Sequence, residues 1–261
     1  MIRSLTDIKE FQRRRALAWA RNVEYWLNGP LRHVEDVGGY IVERVKDIGR
    51  QADAPRPLLI DMGFGSAWLL KAMLESGLKY SYLGLDAVEQ FVWRASRTYQ
   101  HVPDAKFLIA DVETKLDLGV KADLVVNAFN FFELSELGTA MGNASRHLKP
   151  GGTLIMSTID KTYLMLALSK DWRDFFENLR LYQELPGVKY EFQKIDMDSH
   201  VSETLEYPSV LYSAQDYIDA AKASGLRLVA YKEHVFTGKF VPKIYLHLEF
   251  EIEIRCNLTA C

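Results

Sequence analysis

The sequence predicts an α/β protein: a doubly wound, mostly parallel seven-stranded sheet, preceded by an N-terminal helical lid and interrupted late by a cap insertion. Three observations carry this. From Leu58 onward, short apolar runs alternate with stretches of helical period, the pattern of βαβ units whose strands are buried on both faces. The first run ends in a glycine turn, Asp61-Met-Gly63-Phe-Gly65, that opens directly into a helical stretch. The last run changes in kind: Ile244, Leu246, Leu248, Phe250, Ile252 and Ile254 alternate strictly with Tyr245, His247, Glu249, Glu251 and Glu253. That period of two predicts an antiparallel strand with its polar side at least partly in water.

The elements follow in order. Thr6 and Asp7 can cap a helix carrying Ile8, Phe11, Ala16, Trp19, Val23, Trp26 and Leu27, and Asn28-Gly29-Pro30 stops it. The run Arg13-Arg14-Arg15 is expected on that helix's solvated face. Val34, Val37, Ile41, Val45 and Ile48 form a second helical stripe. Gly38-Gly39 inside it would cost about 1 kcal/mol each and is expected to mark its start. Residues 1–50 make the lid, the proline-bearing stretch Gln51–Pro57 links it to the body, and 51–261 form the core. Strands are expected at Leu58–Asp61, Tyr80–Asp86, Lys106–Ala110, Asp123–Asn127, Thr153–Thr158 and Arg227–Tyr231, before the terminal run. Helices are expected at Ala67–Ser76, Val88–Gln100, Ser135–Leu148 and Ala214–Ser224, the last opened by Ser213 with Asp216 as a capping-box pair and closed by Gly225. Residues 160–212 break this rhythm with a helix at Trp172–Leu181 and a strand at Tyr190–Asp196. They read as a cap over the carboxyl ends of the strands, where α/β sheets bind ligands.

Composition removes several classes. Hydrophobic residues at 48% and charged ones at 26% are those of a globular chain, which excludes disordered and collagenous types. A net charge of −3, from 32 basic and 35 acidic side chains, offers no broad positive surface, so nucleic acid is not an expected partner. No run approaches a membrane span and the first residues lack a secretory apolar core, so neither membrane nor export is expected. Cys256 and Cys261 form no metal spacing, in keeping with a reduced, cytoplasmic setting and no bound metal.

The glycine turn carries the chemistry. A dinucleotide loop of the G-x-G-x-x-G type would need glycine where Trp68 stands, and a pyrophosphate would meet the Asp61 carboxylate. A ligand with positive charge fits better, and S-adenosylmethionine carries a sulfonium and an ammonium beside its adenosine. Asp86 ends the second strand, where a carboxylate can accept from both ribose hydroxyls; nicotinamide dinucleotide sites share that feature. Asp111 ends the third, placed to accept from an adenine amino group while Val112 packs against the ring.

Together with Ala122-Asp-Leu-Val-Val-Asn127 and Leu148-Lys-Pro-Gly-Gly152, these residues resemble the class I S-adenosylmethionine-dependent methyltransferases over about residues 57–231. The resemblance implies a Rossmann-like methyltransferase fold and methyl transfer to an oxygen or nitrogen of a small aromatic or apolar metabolite. It also implies cofactor contacts from Asp61, Gly63, Gly65, Asp86, Ala87, Asp111, Val112, Asn127 and Ala128. There are departures. Ala67 stands where many relatives have glycine, Asn127-Ala-Phe-Asn130 lacks the paired prolines of amino-group methyltransferases, and Phe131-Phe132-Glu133 occupies the stretch where small-molecule relatives often carry histidine. A hydroxyl acceptor would need a base, and Glu133, His200 and Asp160 are the candidates, with His33 and His234 behind them. His247 is set aside as a polar-face residue of the last strand. Aromatic residues such as Trp19, Trp26, Phe129, Phe131, Trp172 and Tyr212 are numerous enough to line a pocket for a ring-bearing acceptor. RNA or protein methylation and non-catalytic binding of the nucleoside are the alternative readings, and a homodimer stays open.

Overall fold

The computed structural model describes residues 3–4, 8–21, 23–28, 32–52, 55–131, 134–160, 173, 176, 190–195, 206–210, 212–236 and 243–252. The amino-terminal region supplies β1 (Arg3–Ser4), α1 (Ile8–Arg21), α2 (Val23–Asn28) and α3 (Arg32–Gln51). The alternating body follows as β2 (Leu58–Met62), α4 (Trp68–Glu75), β3 (Ser81–Asp86), α5 (Glu89–Thr98), β4 (Ala105–Ile109), β5 (Ala122–Ala128), α6 (Leu137–His147) and β6 (Leu148–Ile159). Beyond it come β7 (Tyr190–Ile195), β8 (Glu206–Val210), α7 (Ala214–Ala223), β9 (Leu226–Phe236) and β10 (Lys243–Ile252).

Seven strands form one sheet in the order β4-β3-β2-β5-β6-β10-β9, and β1, β7 and β8 form a separate three-stranded sheet. The first five strands of the large sheet run parallel: Ile60 lies between Leu83 of β3 and Val125 of β5. β10 enters antiparallel between β6 and β9, with Leu248 opposite Met156 on one side and Tyr231 on the other. The chain winds outward from β2 to β4, then returns to lay β5 on β2's other edge. That reversal opens a crevice at the carboxyl ends of β2 and β5, the place where such sheets bind ligands.

The continuous apolar runs are explained by burial on both faces, since neighbouring residues of one strand point into different layers. Leu59 packs with Val37, Ile41 and Val45 of α3 and with Met73 of α4, whereas Ile60 packs with Ala140 and Ala144 of α6 and Tyr217 of α7. α7 begins with the expected capping box: the Ser213 hydroxyl accepts from the Asp216 amide, and the Asp216 carboxylate accepts from the Ser213 amide.

Three expectations are corrected here. The first helical stripe is two helices, α1 and α2, rather than one. α3 runs from Arg32 straight through Gly38-Gly39, because its apolar stripe packs on the sheet and tertiary burial outweighs the propensity cost. The strand expected at Thr153–Thr158 begins earlier, so that Leu148-Lys-Pro-Gly-Gly152 belongs to β6, whose pairing with β5 shifts register between Ala122 and Leu124. The polar side of β10 meets water in part, as expected: the Glu251 side chain is partly exposed, whereas His247 and Glu249 are only 1% and 3% exposed. Arg44 of α3 covers them, donating from Nε and Nη2 to the two oxygens of Glu249 at 2.6 and 2.8 Å. His247 Nε2 lies 2.9 Å from the same carboxylate, and its Nδ1 3.1 Å from the Ser157 hydroxyl. Burial raises the Glu249 carboxyl, but the hydrogen bonds and charge of Arg44 and His247 outweigh it and hold the group down at about 2.

Candidate active site

A cavity opens at the carboxyl ends of the parallel strands, where the loops after β2, β3, β4 and β5 converge under α1. Gly63 and Gly65 come from the first loop, Asp86 and Ala87 from the second, Asp111 and Val112 from the third, and Ala128 to Asn130 from the fourth. The sheet brings together seven of the nine expected cofactor residues in this lining. Gln12, Arg15, Ala16 and Trp19 of α1 close the opposite side. The rings of Trp19 and Phe91 meet edge to face at 6.1 Å, which joins that helix to α5 over the cavity.

Asp86 is the best-positioned polar group. Its Oδ2 accepts from the Gly65 amide and its Oδ1 from the Val88 amide, both at 2.9 Å, so the carboxylate orientation is set by backbone on two sides. Burial pushes its pKa up to about 6, against the opposing pull of those amides and of Arg15. Above that pH it is an anion with lone pairs left over for further donors. Asp111 accepts from the Glu113 amide at 2.9 Å and so shapes its own turn, while buried Val112 presents an apolar wall.

Asp61 and Asn127 sit behind the lining rather than in it. Asp61 is 3% exposed and accepts from the Tyr82 hydroxyl at 2.6 Å. Burial, helped by the nearby charge of Asp86, raises its carboxyl to about 7 against that hydrogen bond. The negative rim expected from three aspartates is therefore carried by Asp86 and Asp111, with Asp61 in the floor beneath. Asn127 is a clamp: its Nδ2 donates to the Met62 carbonyl at 2.6 Å and its Oδ1 accepts from the Phe131 amide at 3.1 Å. It ties the end of β2 to the loop after β5.

That loop turns sharply. Phe129 holds φ at +66°, a left-handed conformation that costs a non-glycine residue on the order of 1–3 kcal/mol, and its amide donates to the Ser157 carbonyl at 2.7 Å. The turn carries Asn130 against Gly63, itself at φ +77°, and a methyl group on Gly63 would lie 2.5 Å from Asn130 Cγ. Glycine is thus required there for conformation and for space.

The solvated face expected for the arginine run is corrected at Arg15. Arg13 is exposed and pairs with Glu10, but Arg15 is 8% exposed and forms an ion pair with Glu113, which is 6% exposed. Glu113 also accepts from the Ser135 amide and hydroxyl and from the Glu136 amide. Burial alone would raise the Glu113 carboxyl; Arg15 and these donors hold it below its ordinary value. The pair therefore ties α1 to the loop after β4. A signal existed: Phe11, Arg15 and Trp19 are four apart and share one helical face, so the period that marks Phe11 and Trp19 as inward marks Arg15 too. Asn130 carried no such signal, because its position depends on the Phe129 turn.

The expected bases fare differently. Glu133 and His200 lie outside the described residues, as does the side chain of His33. Asp160 follows directly on β6, its amide donating to the Ile244 carbonyl, and it stands outside the lining although Ile159 is in it. Burial raises the hydroxyls of Tyr217 and Tyr231, and the charge of Asp160 adds a smaller push in the same direction. His234 is away from the cavity on β9, against the rings of Tyr40 and His247, where burial lowers its pKa. Among the described residues, no cluster of three or more His, Cys, Asp or Glu is placed to hold a metal ion.

Residues 59–152 match a family profile described as a methyltransferase domain. Over that segment the chain is similar to methyltransferase domains. Its curated relatives include a ubiquinone biosynthesis O-methyltransferase from Brucella ovis, 26% identical over 181 residues. That match covers 67% of this chain and 66% of the relative, so just under two thirds of the relative's length is spanned. Among solved structures, the CcbJ methyltransferase from Streptomyces caelestis superposes with a TM-score of 0.62 at 15% identity, over 88% of this chain and 96% of that one. The Burkholderia thailandensis 1,6-didemethyltoxoflavin-N1-methyltransferase, solved with its namesake and S-adenosylhomocysteine bound, gives 0.61 at 13% identity, over 96% and 92%. These likenesses show the fold that the chain shares with solved methyltransferases, and the cavity lies at the carboxyl ends of its parallel strands.

Proposed function

We propose that the protein transfers a methyl group from S-adenosylmethionine to an oxygen or nitrogen of a small aromatic or apolar metabolite. The observation that carries this is the lining itself, in which an anchored carboxylate, an acidic turn and an apolar wall stand on three neighbouring strands beside a glycine bend. The donor set fits the cofactor. Asp86 and Asp111 are acceptors for hydroxyl and amino groups, Val112 offers an apolar surface to a ring, and the cavity's acidic side chains suit a cationic ligand. When bound, S-adenosylmethionine supplies a methyl group activated by a positively charged sulfur, with a neutral thioether as its leaving group.

The chain's own residues then bind, orient and exclude water. Asp86 would hold the ribose hydroxyls, Val112 and Asp111 the adenine, and Gly63, Gly65, Ala87 and Ala128 would let the backbone approach, while Asp61 and Asn127 brace the floor behind them. Trp19, Phe91 and the Arg15–Glu113 pair keep α1 over the cavity. Alignment of this kind is worth up to about 7–11 kcal/mol in well-oriented systems. Glu133, His200 and Asp160 stay the proposed bases for a hydroxyl acceptor. Residues 1–50 as lid, 51–261 as core and 160–212 as cap belong to the same proposal. The relatives named above, one named for ubiquinone biosynthesis and one for 1,6-didemethyltoxoflavin, support a small-molecule acceptor and a biosynthetic role. Among the described residues no helix is long and apolar enough to cross a membrane. With the net charge of −3, this supports a cytoplasmic enzyme that does not use nucleic acid.

Calorimetry with S-adenosylhomocysteine tests the reading. Asp86→Asn keeps the side chain's shape but turns an acceptor into a donor, and should weaken binding by about 1–3 kcal/mol. Unchanged affinity would remove Asp86 from the site, and formation of S-adenosylhomocysteine with RNA but with no small acceptor would favour the rival substrate class.

A further inference from the structure

Two polar links from α1 end on the same carboxylate. The Arg15 guanidinium meets Glu113 Oε2, and Gln12 Nε2 donates at 3.1 Å to the Ser135 hydroxyl, which in turn donates at 2.7 Å to Glu113 Oε1. That oxygen also accepts from the Ser135 and Glu136 amides, at 2.6 and 2.8 Å. The Glu113 side chain is wholly buried and so joins α1, the loop after β4 and the residues that lead into α6. It also stands one residue from the cavity wall. Asp111 and Val112 line the cavity, and the Asp111 carboxylate accepts from the Glu113 amide at 2.9 Å. Whatever displaces Glu113 therefore displaces this turn.

We propose that Glu113 is a positioning residue that couples occupation of the turn 111–113 by the cofactor's adenine to closure of α1 over the cavity; this rests on the reading that the cavity takes S-adenosylmethionine. The reason is charge. A buried carboxylate is tolerated beside a cation and is costly without one. With α1 down, Arg15 is that cation, and Glu113 stays inward to accept from the donors of Ser135 and Glu136 that hold the turn. With α1 lifted, Arg15 leaves, the carboxylate turns to water and releases those donors, and the turn loses its shape. An adenine that favours the shaped turn must then favour the closed helix by the same factor, because coupling between two sites is reciprocal. Closure sets Gln12, Ala16 and Trp19 against the cavity. The cofactor thus binds first, the acceptor meets a wall that the bound cofactor has stabilised, and product leaves when the Arg15–Glu113 pair parts.

Hydrogen exchange on the full chain, read by mass spectrometry with and without saturating S-adenosylhomocysteine, tests this. In the wild type the ligand should slow exchange of the α1 amides by about 10-fold or more. Arg15→Met keeps a long stem without its charge, and Glu113→Gln keeps the shape and an acceptor oxygen without the charge. In each, the α1 response should fall below about 2-fold while S-adenosylhomocysteine still binds, weakened about 5-fold or more by calorimetry. Because the two residues act through one pair, the double variant should lose no more affinity than the weaker-binding single one. The amides of β2 and β5 report the fold, and should Glu113→Gln fail to fold, Arg15→Met alone decides. The proposal is overturned if the ligand leaves wild-type α1 exchange unchanged, if Arg15→Met keeps the wild-type response, or if the losses add in the double variant. A wild-type chain that does not bind S-adenosylhomocysteine would overturn the cofactor reading itself, an outcome that calorimetry separates from loss of the coupling.

Discussion

Asp61→Asn should make this protein more stable, and the gain should depend on pH. The wild-type carboxyl is buried, holds one hydrogen bond from Tyr82 and shares its surroundings with Asp86, which together with desolvation raises it from 3.8 to about 7. Because the folded-state value lies above the ordinary one, the folded chain keeps a proton that the unfolded chain has released between those two values. Stability is then fully present below pH 4 and is lost as the pH rises through about 7. A shift of that size corresponds to roughly 4 kcal/mol by pH 8, a large share of the roughly 5–15 kcal/mol that holds a typical domain together. Asparagine has nearly the same shape, its amide oxygen can accept from Tyr82, and it does not titrate. Urea unfolding followed by circular dichroism at pH 5, 6, 7 and 8 should therefore show a gap that widens with pH, reaching about 2–4 kcal/mol in favour of the variant at pH 8. A variant no more stable than wild type at pH 8, or a gap equally wide at pH 5, would refute the burial argument.

Two further outcomes follow from the same geometry. Gly63→Ala forces a methyl group onto Asn130 at a backbone angle unsuited to alanine, and should cost about 1–3 kcal/mol of stability with loss of S-adenosylhomocysteine binding; thermal unfolding and calorimetry read both effects, and a neutral result would show that the Asn130 loop yields. Arg44→Met leaves the Glu249 carboxylate buried beside His247 without its main partner and should cost about 3–5 kcal/mol near pH 7. The cost should shrink as pH falls from about 4.5 towards 2, the range in which the wild-type chain loses what the depressed Glu249 contributes; a cost independent of acidity would point to lost packing instead.

Much of the fold was legible because each parallel strand is a self-contained apolar run bounded by turns. The expected strands at Leu58–Asp61, Tyr80–Asp86 and Asp123–Asn127 match β2, β3 and β5 to within about a residue. Asp86, Asp111 and the glycine bend could be placed because each follows directly on a strand end, so local order along the chain implies neighbourhood in space. Arg15 was misplaced because three successive arginines look solvated, while their helical phase puts only the third inward, against Glu113. His247 and Glu249 show the same limit: alternation identified a polar side of β10, yet nothing near residue 249 announces Arg44 on a helix far away in the chain.

The linear order of residues alone determined the βα alternation, the sheet's reversal around the glycine bend and the acidic strand ends, since periodicity and turn chemistry act over a few neighbours. Only the tertiary structure decided what each polar group meets: Asp61 pushed into the floor, Asn127 set as a clamp, Arg15 drawn over the cavity and Asn130 pressed onto Gly63. Burial and long-range pairing set those fates, and both depend on distances between segments that no local pattern encodes.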